Sequence, residues 1–328
     1  IAYGLSYTKK HNKAIWNTAI LGFMMLLIGY SSYAMVLIRS NANPPINMSS
    51  PDDPLKLSNY LARTQYGDWP IASGYYYYEG YSGIKNGDPI YEKNTKTGKY
   101  EKIGNEIEKT YPKGLNKHLF PRMWSNQKAE GYKRWRKSQD PTKNPNRQIT
   151  FGENLHFFFD YQIGWSYMRY FMWNFAGRQN DVMNMDRNSI YGNWESGIGY
   201  SDDGMPSHLK DNKAKNHYYF LPLIIGLIGM CFHFKKQKTD AFSVLLFFLF
   251  TGLFIIVYLN VAPNQPRERD YAYVGSFYAF SIWIGIGVLG IYNYLKQKIN
   301  KKTSAILATS ICLLAVPILM ASENWDDH

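Results

Sequence analysis

The sequence predicts an all-α polytopic membrane protein with about five transmembrane helices. Three observations support this: the long apolar segments, the positions of the lysines, and a polar stretch of about 180 residues after the first segment. Each segment is close to the ~20 residues that an α-helix needs to cross a bilayer. The segments are Ala14–Ile38, Tyr218–Phe234, Ala241–Val261, Tyr271–Tyr294 and Thr303–Ala321.

Lysine clusters mark alternate ends of these segments. They lie before the first segment (Lys9, Lys10, Lys13), after the second (Lys235, Lys236, Lys238) and between the fourth and fifth (Lys296, Lys298, Lys301, Lys302). Short lysine-rich loops favour the cytoplasmic side, so all three clusters predict one topology. Residues 1–38 form the cytoplasmic end of a preceding helix and the first span, 39–217 an extracytoplasmic loop region, and 218–328 a four-helix membrane region that ends in the start of an outer tail.

The large loop is expected to have mixed structure. Pro51-Asp-Asp-Pro54 predicts an N-cap for a short helix over Leu55–Arg63, and Pro89–Ile103 alternates like a small β-hairpin. Glu153–Phe175 is long enough to span a membrane but contains ionisable groups. We therefore expect a helix in the outer interface whose aromatic side chains enter lipid. A further membrane crossing is the alternative, and it would invert the lysine pattern downstream.

The net charge of +12 favours contact with anionic lipid head groups, so membrane lipids are expected partners. The basic run Pro112–Arg147 is interpreted as a solvated face, with a lipid-head or phosphate contact as the alternative. Nucleic acid is not expected, because the topology places this run outside the cytoplasm. Cys231 and Cys312 lie inside predicted helices and the histidines lack metal-ligand spacing, so no disulfide, metal site or certain cofactor is predicted.

Four consecutive charged residues stand between the third and fourth apolar segments: Arg267, Glu268, Arg269 and Asp270. Ionisable groups beside a membrane are costly and tend to be paired or functional. Because arginine binds phosphate in a bidentate manner, Arg267 and Arg269 are candidate ligands of a lipid phosphate, with Glu268 and Asp270 orienting them. A solvated loop with two ion pairs is the alternative. Arg39 is a further candidate ligand, or it extends to the lipid heads.

A second polar group, Trp173, Arg178, Asn180 and Asp181, is a candidate for the sugar or acceptor side of a site. The alternative is a helix C-cap at Gly177 followed by a polar turn. The string Gly285-Ile-Gly-Val-Leu-Gly290 lies inside an apolar helix with no strand before it. It therefore predicts helix packing and not dinucleotide binding.

Five motifs together resemble a large bacterial membrane family that is common in Bacteroidetes and is described as a domain of unknown function. The motifs are Ile38–Pro45, Tyr66–Asp68, Tyr170–Asp181, Gly192–Trp194 and Arg267–Phe277. The eukaryotic relative of this family is a transmembrane protein O-mannosyltransferase. The resemblance implies a GT-C-type glycosyltransferase in the bacterial inner membrane, with its large loop in the periplasm. Such an enzyme moves a sugar from a polyprenyl-phosphate donor to an acceptor, here expected to be a protein Ser or Thr.

The sequence departs from this family in one respect. The family's catalytic carboxylates are expected in a Trp-Asp-x-Gly-Glu-Phe stretch, which this sequence lacks. The chain is expected to be a piece of a longer protein, with the general base before Ile1, so the catalytic residue is unknown. The alternative function is a non-enzymatic scaffold subunit of an envelope secretion or assembly complex. A transporter is less expected, because few ionisable groups lie near the middle of the predicted helices.

Overall fold

The computed structural model describes residues 1–94, 96–135, 148–183, 190–199 and 201–325. Its α-helices are α1 (Ala2–Lys10), α2 (Ala14–Asn41), α3 (Pro54–Ala62), α4 (Ala129–Trp135), α5 (Phe151–Phe157), α6 (Arg169–Phe175), α7 (Ser207–Lys210), α8 (Leu221–Lys236), α9 (Lys238–Thr251), α10 (Leu253–Leu259), α11 (Val274–Leu295), α12 (Lys301–Leu313) and α13 (Leu319–Glu323). Its strands are β1 (Ser73–Gly74), β2 (Gly83–Lys93), β3 (Tyr100–Thr110), β4 (His118–Leu119), β5 (Gly177–Arg178) and β6 (Asn216–His217). They pair antiparallel as β1–β4, β2–β3 and β5–β6. The basic run Pro112–Arg147 lies outside the described residues after Trp135.

The chain divides into two compact units. The first comprises Ile1–Asp68 and Gly83–Thr110, and the second comprises Trp69–Ser82 and Tyr111–His328. Residues 39–217, predicted as one loop region, contribute to both units. The predicted boundaries after residues 38 and 217 are boundaries of membrane topology, and they stay predictions.

Four helices in the described part of the chain are long and apolar enough to cross a membrane, by length and composition, and they indicate a membrane protein. They are Ala14–Asn41, Lys238–Leu259, Asp270–Leu295 and Lys301–Glu323. The other predicted segment forms α8, which has 16 residues, or about 24 Å at the usual helical rise. It begins only at Leu221 because Phe220 adopts a left-handed conformation. The predicted number of about five is therefore not confirmed.

The first unit contains the first apolar helix, a capped short helix and the hairpin. The carboxylate of Asp53 accepts hydrogen bonds from the backbone N–H groups of Leu55 at 2.8 Å and Lys56 at 3.0 Å, which confirms the predicted N-cap of α3. The predicted hairpin is also confirmed, but it extends over β2 and β3, 11 residues each. These strands are largely exposed and polar, so the alternation of apolar residues predicted only the part next to the turn.

A continuous helix over residues 151–175 joins α5 to α6 through a π-helical stretch, Phe158–Met168. Thr150 and Glu153 form a capping box at its start. The expectation that its aromatic side chains enter lipid is wrong for most of them, because they are buried in protein. Its aromatic residues are not confined to one face, and a helix with apolar residues around its circumference is typically buried. The buried aromatic residues are Phe157, Tyr161, Tyr167, Tyr170, Phe171, Trp173 and Phe175.

Helices α8 and α11 approach each other closely at glycine positions. A Cβ atom at Gly229 would lie 1.8 Å from the carbonyl oxygen of Trp283, and one at Gly287 would lie 2.4 Å from that of Ile225. Such contact of backbone with backbone is typical of small residues between membrane helices. The predicted packing role is thus confirmed at Gly287, whereas a Cβ at Gly285 would meet open space.

The same contacts give the relative direction of the two helices. Gly226 of α8 faces Phe280 of α11, and Phe232, further along α8, faces Gly290, further along α11. The two helices therefore run parallel. The lysines that end α8 and those that follow α11 consequently lie at the same end of this pair.

We expect Gly229→Ala to destabilise the second unit, because the added methyl group has no room beside the Trp283 carbonyl. Overpacking of this kind typically costs about 1–3 kcal/mol. The measurement is the thermal unfolding midpoint of the purified chain in detergent. Gly285→Ala is the matched control and should not lower the midpoint, because alanine favours the helix and its methyl group meets open space. Equal midpoints for both variants would contradict the packing described.

Candidate functional site

The candidate site begins where the apolar helix α9–α10 ends. Asn260 ends it in a left-handed conformation, with φ 42° and ψ 53°. The last carbonyl groups of a helix have no partners within the helix. We call residues 257–264 the capped segment, because side chains from elsewhere in the second unit donate hydrogen bonds to most of its carbonyl groups.

These donors belong to the loop stretch before the 151–175 helix and to that helix itself. They are Arg122 to Val257 (3.0 Å), Trp69 to Tyr258 (2.6 Å), Trp124 to Asn260 (3.0 Å), Gln162 to Val261 (2.9 Å), Tyr161 to Ala262 (3.2 Å) and Lys128 to Asn264 (2.7 Å). Burial raises the pKa of Tyr161 to about 12, so its hydroxyl keeps the proton that it donates. The backbone path of the capped segment is thereby fixed almost residue by residue.

The side chain of Asn260 completes this arrangement. It is fully buried and donates to the carbonyl groups of Pro70 at 2.6 Å and Pro121 at 2.9 Å. Its carbonyl oxygen accepts a hydrogen bond from Gln162 at 3.0 Å. One amide side chain therefore holds two loop segments and the 151–175 helix against the end of α10.

Arg122 is fully buried, and the described hydrogen bonds of its guanidinium go to two backbone carbonyls, those of Val257 and Ile71. Its guanidinium also lies 3.7 Å from the centre of the Phe120 ring. Burial lowers its pKa to about 10, so it stays charged at neutral pH. The partial negative charge at the C-terminal end of a helix favours a cation at this place.

The capped segment leads into the charged residues 267–270. Glu268 accepts a hydrogen bond from the Arg169 guanidinium at 2.7 Å and another from the Tyr170 hydroxyl. The Tyr170 oxygen in turn accepts the backbone N–H of Arg269 at 3.1 Å. The sequence assigned Glu268 to the arginines of its own loop, and the structure corrects this. Arg169 is only 3% exposed, and the Glu268 carboxylate compensates the charge of its buried guanidinium.

Arg169 is enclosed by an aromatic cage, formed by Trp165, Tyr170 and Trp173. Its guanidinium carbon lies 4.3, 4.4 and 4.6 Å from the three ring centres, within the range of cation–π attraction. Arg169 also donates to the carbonyl oxygen of Gly192 at 2.8 Å. The Arg169–Glu268 pair therefore joins the charged loop to the 151–175 helix.

Within the described ranges, neither Arg267 nor Arg269 forms an ion pair with a carboxylate. The Nε atom of Arg269 is buried and has no hydrogen-bond partner among the residues that the structure describes. Arg267 is exposed, with its guanidinium 5.8 Å from the Tyr271 ring, and Asp270 is exposed at the start of a short 3-10 helix. Glu268 is thus committed to Arg169 and does not compensate the charges of Arg267 and Arg269.

A small cavity lies between the 151–175 helix and this loop, and Ser166 and Arg269 are among its lining residues. Its volume is about 30 Å³, more than the ~10–15 Å³ that a bound water requires. It therefore admits one group of the size of a water molecule or a phosphate oxygen, and it has no room for a sugar ring.

The remaining predicted site residues fall in two places. Arg39 belongs to the first unit, exposed in the last turn of α2. In the second unit, Trp173 donates to the Asn193 carbonyl at 3.0 Å, and Arg178 donates to that of Ala214 at 2.8 Å. Such internal bonds are typical of residues that hold loops in place, and contact with a sugar or acceptor stays a prediction.

Asn180 and Asp181 continue the same loop-holding arrangement. The buried amide of Asn180 donates to the Ile190 carbonyl at 3.0 Å and accepts the N–H of Gly192 at 2.8 Å. Asp181 is exposed and accepts a hydrogen bond from Asn212 at 2.9 Å. Because Gly192 is also bonded to Arg169, Asn180 supports the aromatic cage indirectly.

Most residues of the site were not predicted as site residues from the sequence, among them Arg169, Tyr170 and Asn260. Arg169 had a detectable signal, since it is a single cation in the aromatic run Trp165–Trp173 and buried charged residues are usually paired. Asn260 had a weaker one, a polar residue directly after an apolar helix. Neither signal identifies the partner.

Residues 67–159 match a protein family described as "Family of unknown function (DUF8416)". No curated protein and no solved structure matches the chain. The matched residues include Trp69, Arg122, Trp124 and Lys128, which donate to the capped segment. The predicted resemblance is supported as far as a family of unknown function, and a relation to the O-mannosyltransferase stays a prediction.

Replacing Asn260 should destabilise the second unit. Asn260→Gly keeps the left-handed backbone but removes three buried side-chain hydrogen bonds, and we expect a loss of about 2–4 kcal/mol in the free energy of unfolding. Chemical unfolding in detergent measures it. Asn264→Gly is the matched control, since Asn264 is also left-handed (φ 55°) and its side-chain oxygen has no partner among the described residues. A similar loss in both variants would argue against the role of Asn260.

Tyr170→Phe should loosen the charged loop, because it removes one donor to Glu268 and the acceptor of the Arg269 N–H. The expected cost is about 1–3 kcal/mol, together with faster hydrogen exchange at the Arg269 amide. Tyr271→Phe is the control, because the Tyr271 side chain is exposed. Unchanged exchange at Arg269 in the Tyr170 variant would show that the hydroxyl does not hold the loop.

Proposed function

We propose that the chain is part of a membrane glycosyltransferase, which moves a sugar from a polyprenyl-phosphate donor to an acceptor such as a protein Ser or Thr. In this proposal the 264–270 loop binds the donor phosphate. Arg269 is the main ligand, and Arg267 assists from the surface. The observation that carries the proposal is the buried Nε of Arg269, which has no partner within the described ranges.

The charges around the loop support an anionic ligand. Glu268 is committed to Arg169 and Tyr170, so it does not compensate the charge of Arg269. A phosphate oxygen in the 30 Å³ cavity would accept the free N–H of Arg269, and the remaining oxygens would lie outside, towards Arg267. Hydrogen bonds between a guanidinium and a phosphate are among the strong ones in proteins.

The chemistry of the transfer assigns a role to this binding. When the bond between the sugar carbon and the phosphate oxygen breaks, negative charge grows on the departing phosphate. Fixed cations stabilise that charge in the transition state. The acceptor hydroxyl also needs a base, and Glu268 is poorly suited because Arg169 and Tyr170 occupy its carboxylate. The loop would therefore recognise and stabilise the donor, while the base comes from elsewhere in the protein.

We further propose that the membrane is the bacterial inner membrane and that the loop lies on its periplasmic face. The support is the parallel packing of α8 and α11, which brings their lysines to one end. The charged loop precedes α11 and so lies at the opposite end of that helix. Lysine-rich ends favour the cytoplasm, which leaves the loop outside.

Binding of undecaprenyl phosphate to the purified chain in nanodiscs tests the site. We expect Arg269→Gln to raise the Kd roughly 10- to 100-fold, since a hydrogen bond to a charged group contributes about 1.5–3 kcal/mol. Arg267→Gln should have a smaller effect, because Arg267 is exposed. Lys113→Gln, which removes an exposed charge elsewhere in the second unit, should leave the Kd unchanged. Equal Kd values for Arg269→Gln and the unsubstituted chain would refute the phosphate site.

A cellular assay separates the enzyme from a scaffold. In cells that express the whole protein with Arg269→Gln, we expect glycosylation of envelope proteins to fall while the protein remains in the membrane. If glycosylation is unchanged and an envelope complex is lost instead, the protein acts as a scaffold subunit and the glycosyltransferase proposal is wrong.

A further inference from the structure

A groove on the outside of the helical region runs between α8 and α11, away from the charged loop. Its volume is about 470 Å³. Along most of its length the α8 side is apolar and exposed, with Ile224 at 49% and Leu227 at 43%. Gly290 of α11 lies opposite, close to Ile228 and Phe232 of α8. Exposed apolar surface of this kind is expected to face lipid or another membrane helix.

One end of the groove is polar. Lys235, Asn293 and Gln297 line that end, and Lys298 lies nearby with its ammonium group 2.8 Å from the Tyr294 hydroxyl. An ammonium group and two amides can together hold an anionic head group. Basic pockets between membrane helices are typical binding places for such head groups.

The length of the apolar part points to the same ligand. From Ile224 to Lys235 the helix rises about 17 Å. The hydrocarbon core of a bilayer is ~30 Å thick, so one leaflet contributes about 15 Å. A groove that starts at a cation and extends this far towards the middle of the membrane matches a lipid chain in a single leaflet. A helix that crosses the membrane would need a contact surface about twice as long.

We propose that this groove is a binding site for an anionic phospholipid, with one acyl chain between α8 and α11 and the phosphate at Lys235. The site is independent of the charged loop and of the proposed glycosyl transfer. It belongs to the lysine-rich end of the parallel pair, whereas the loop lies at the other end. A lipid held here would bridge two helices that otherwise meet through their glycines.

The test counts bound lipids on the purified whole chain by native mass spectrometry, with dioleoyl phosphatidylglycerol titrated in a neutral detergent. We expect Lys235→Gln to weaken retention of the first lipid about fivefold, the effect of one basic residue at a membrane surface. Lys236→Gln is the matched control, because Lys236 is the next residue and does not line the groove. Dioleoyl phosphatidylcholine should be retained weakly by all variants.

A second variant tests the apolar part of the groove. Cys231 is exposed and lines it, so Cys231→Trp should fill the groove and abolish the specific retention of phosphatidylglycerol. Phe242→Trp, an exposed position on α9, should not. The proposal is overturned if Lys235→Gln and Lys236→Gln act equally, or if Cys231→Trp leaves retention intact. It is also overturned if Cys231→Trp changes the number of copies in the particle, since a second copy would then cover the groove.

Discussion

The hydrogen bonds at the end of α10 are the constraint on which the rest of the second unit depends. In a membrane an unsatisfied backbone carbonyl costs several kcal/mol. The last carbonyl groups of α10 and those that follow it have no partner within the helix itself. Arg122, Trp69, Trp124, Gln162, Tyr161 and Lys128 supply the missing donors. The same bonds fix the path of the chain into residues 267–270. The candidate anion site therefore takes its geometry from the way in which a helix end is satisfied.

The helices could be predicted from the sequence because the information they need is local. The length and apolar composition of a segment such as Ala241–Val261 are enough to predict a membrane-spanning helix. Asp53 is close in sequence to the N–H groups that it caps. The limits of prediction appear where the cause is distant. The start of α8 was predicted too early, because the left-handed backbone at Phe220 delays it to Leu221. The 151–175 helix was assigned to lipid because its protein partners, such as Phe280, lie more than 100 residues away in the sequence.

The site shows the same division. The four charged residues Arg267–Asp270 could be identified from the sequence because they separate two apolar segments. Glu268, however, was paired with the arginines next to it in sequence. Its true partner, Arg169, is 99 residues away, and only the folded chain brings the two together. Residues chosen for their polarity alone, such as Asn180, proved to be bonded internally. A cluster of charges in a sequence therefore locates a site better than it assigns the pairs within it.

The separation along the chain between donors and acceptors also has a consequence for biosynthesis. Trp69 and the carbonyl group of Tyr258 lie 189 residues apart, and long-range contacts form late. A chain made from its N-terminus produces the donor-rich stretch well before the helix that it will cap. Until α9–α10 has formed, Trp69, Trp124 and Arg122 lack the carbonyl groups of Tyr258, Asn260 and Val257 that they bind in the folded chain. Formation of that one helix thus decides when these side chains can make their native hydrogen bonds.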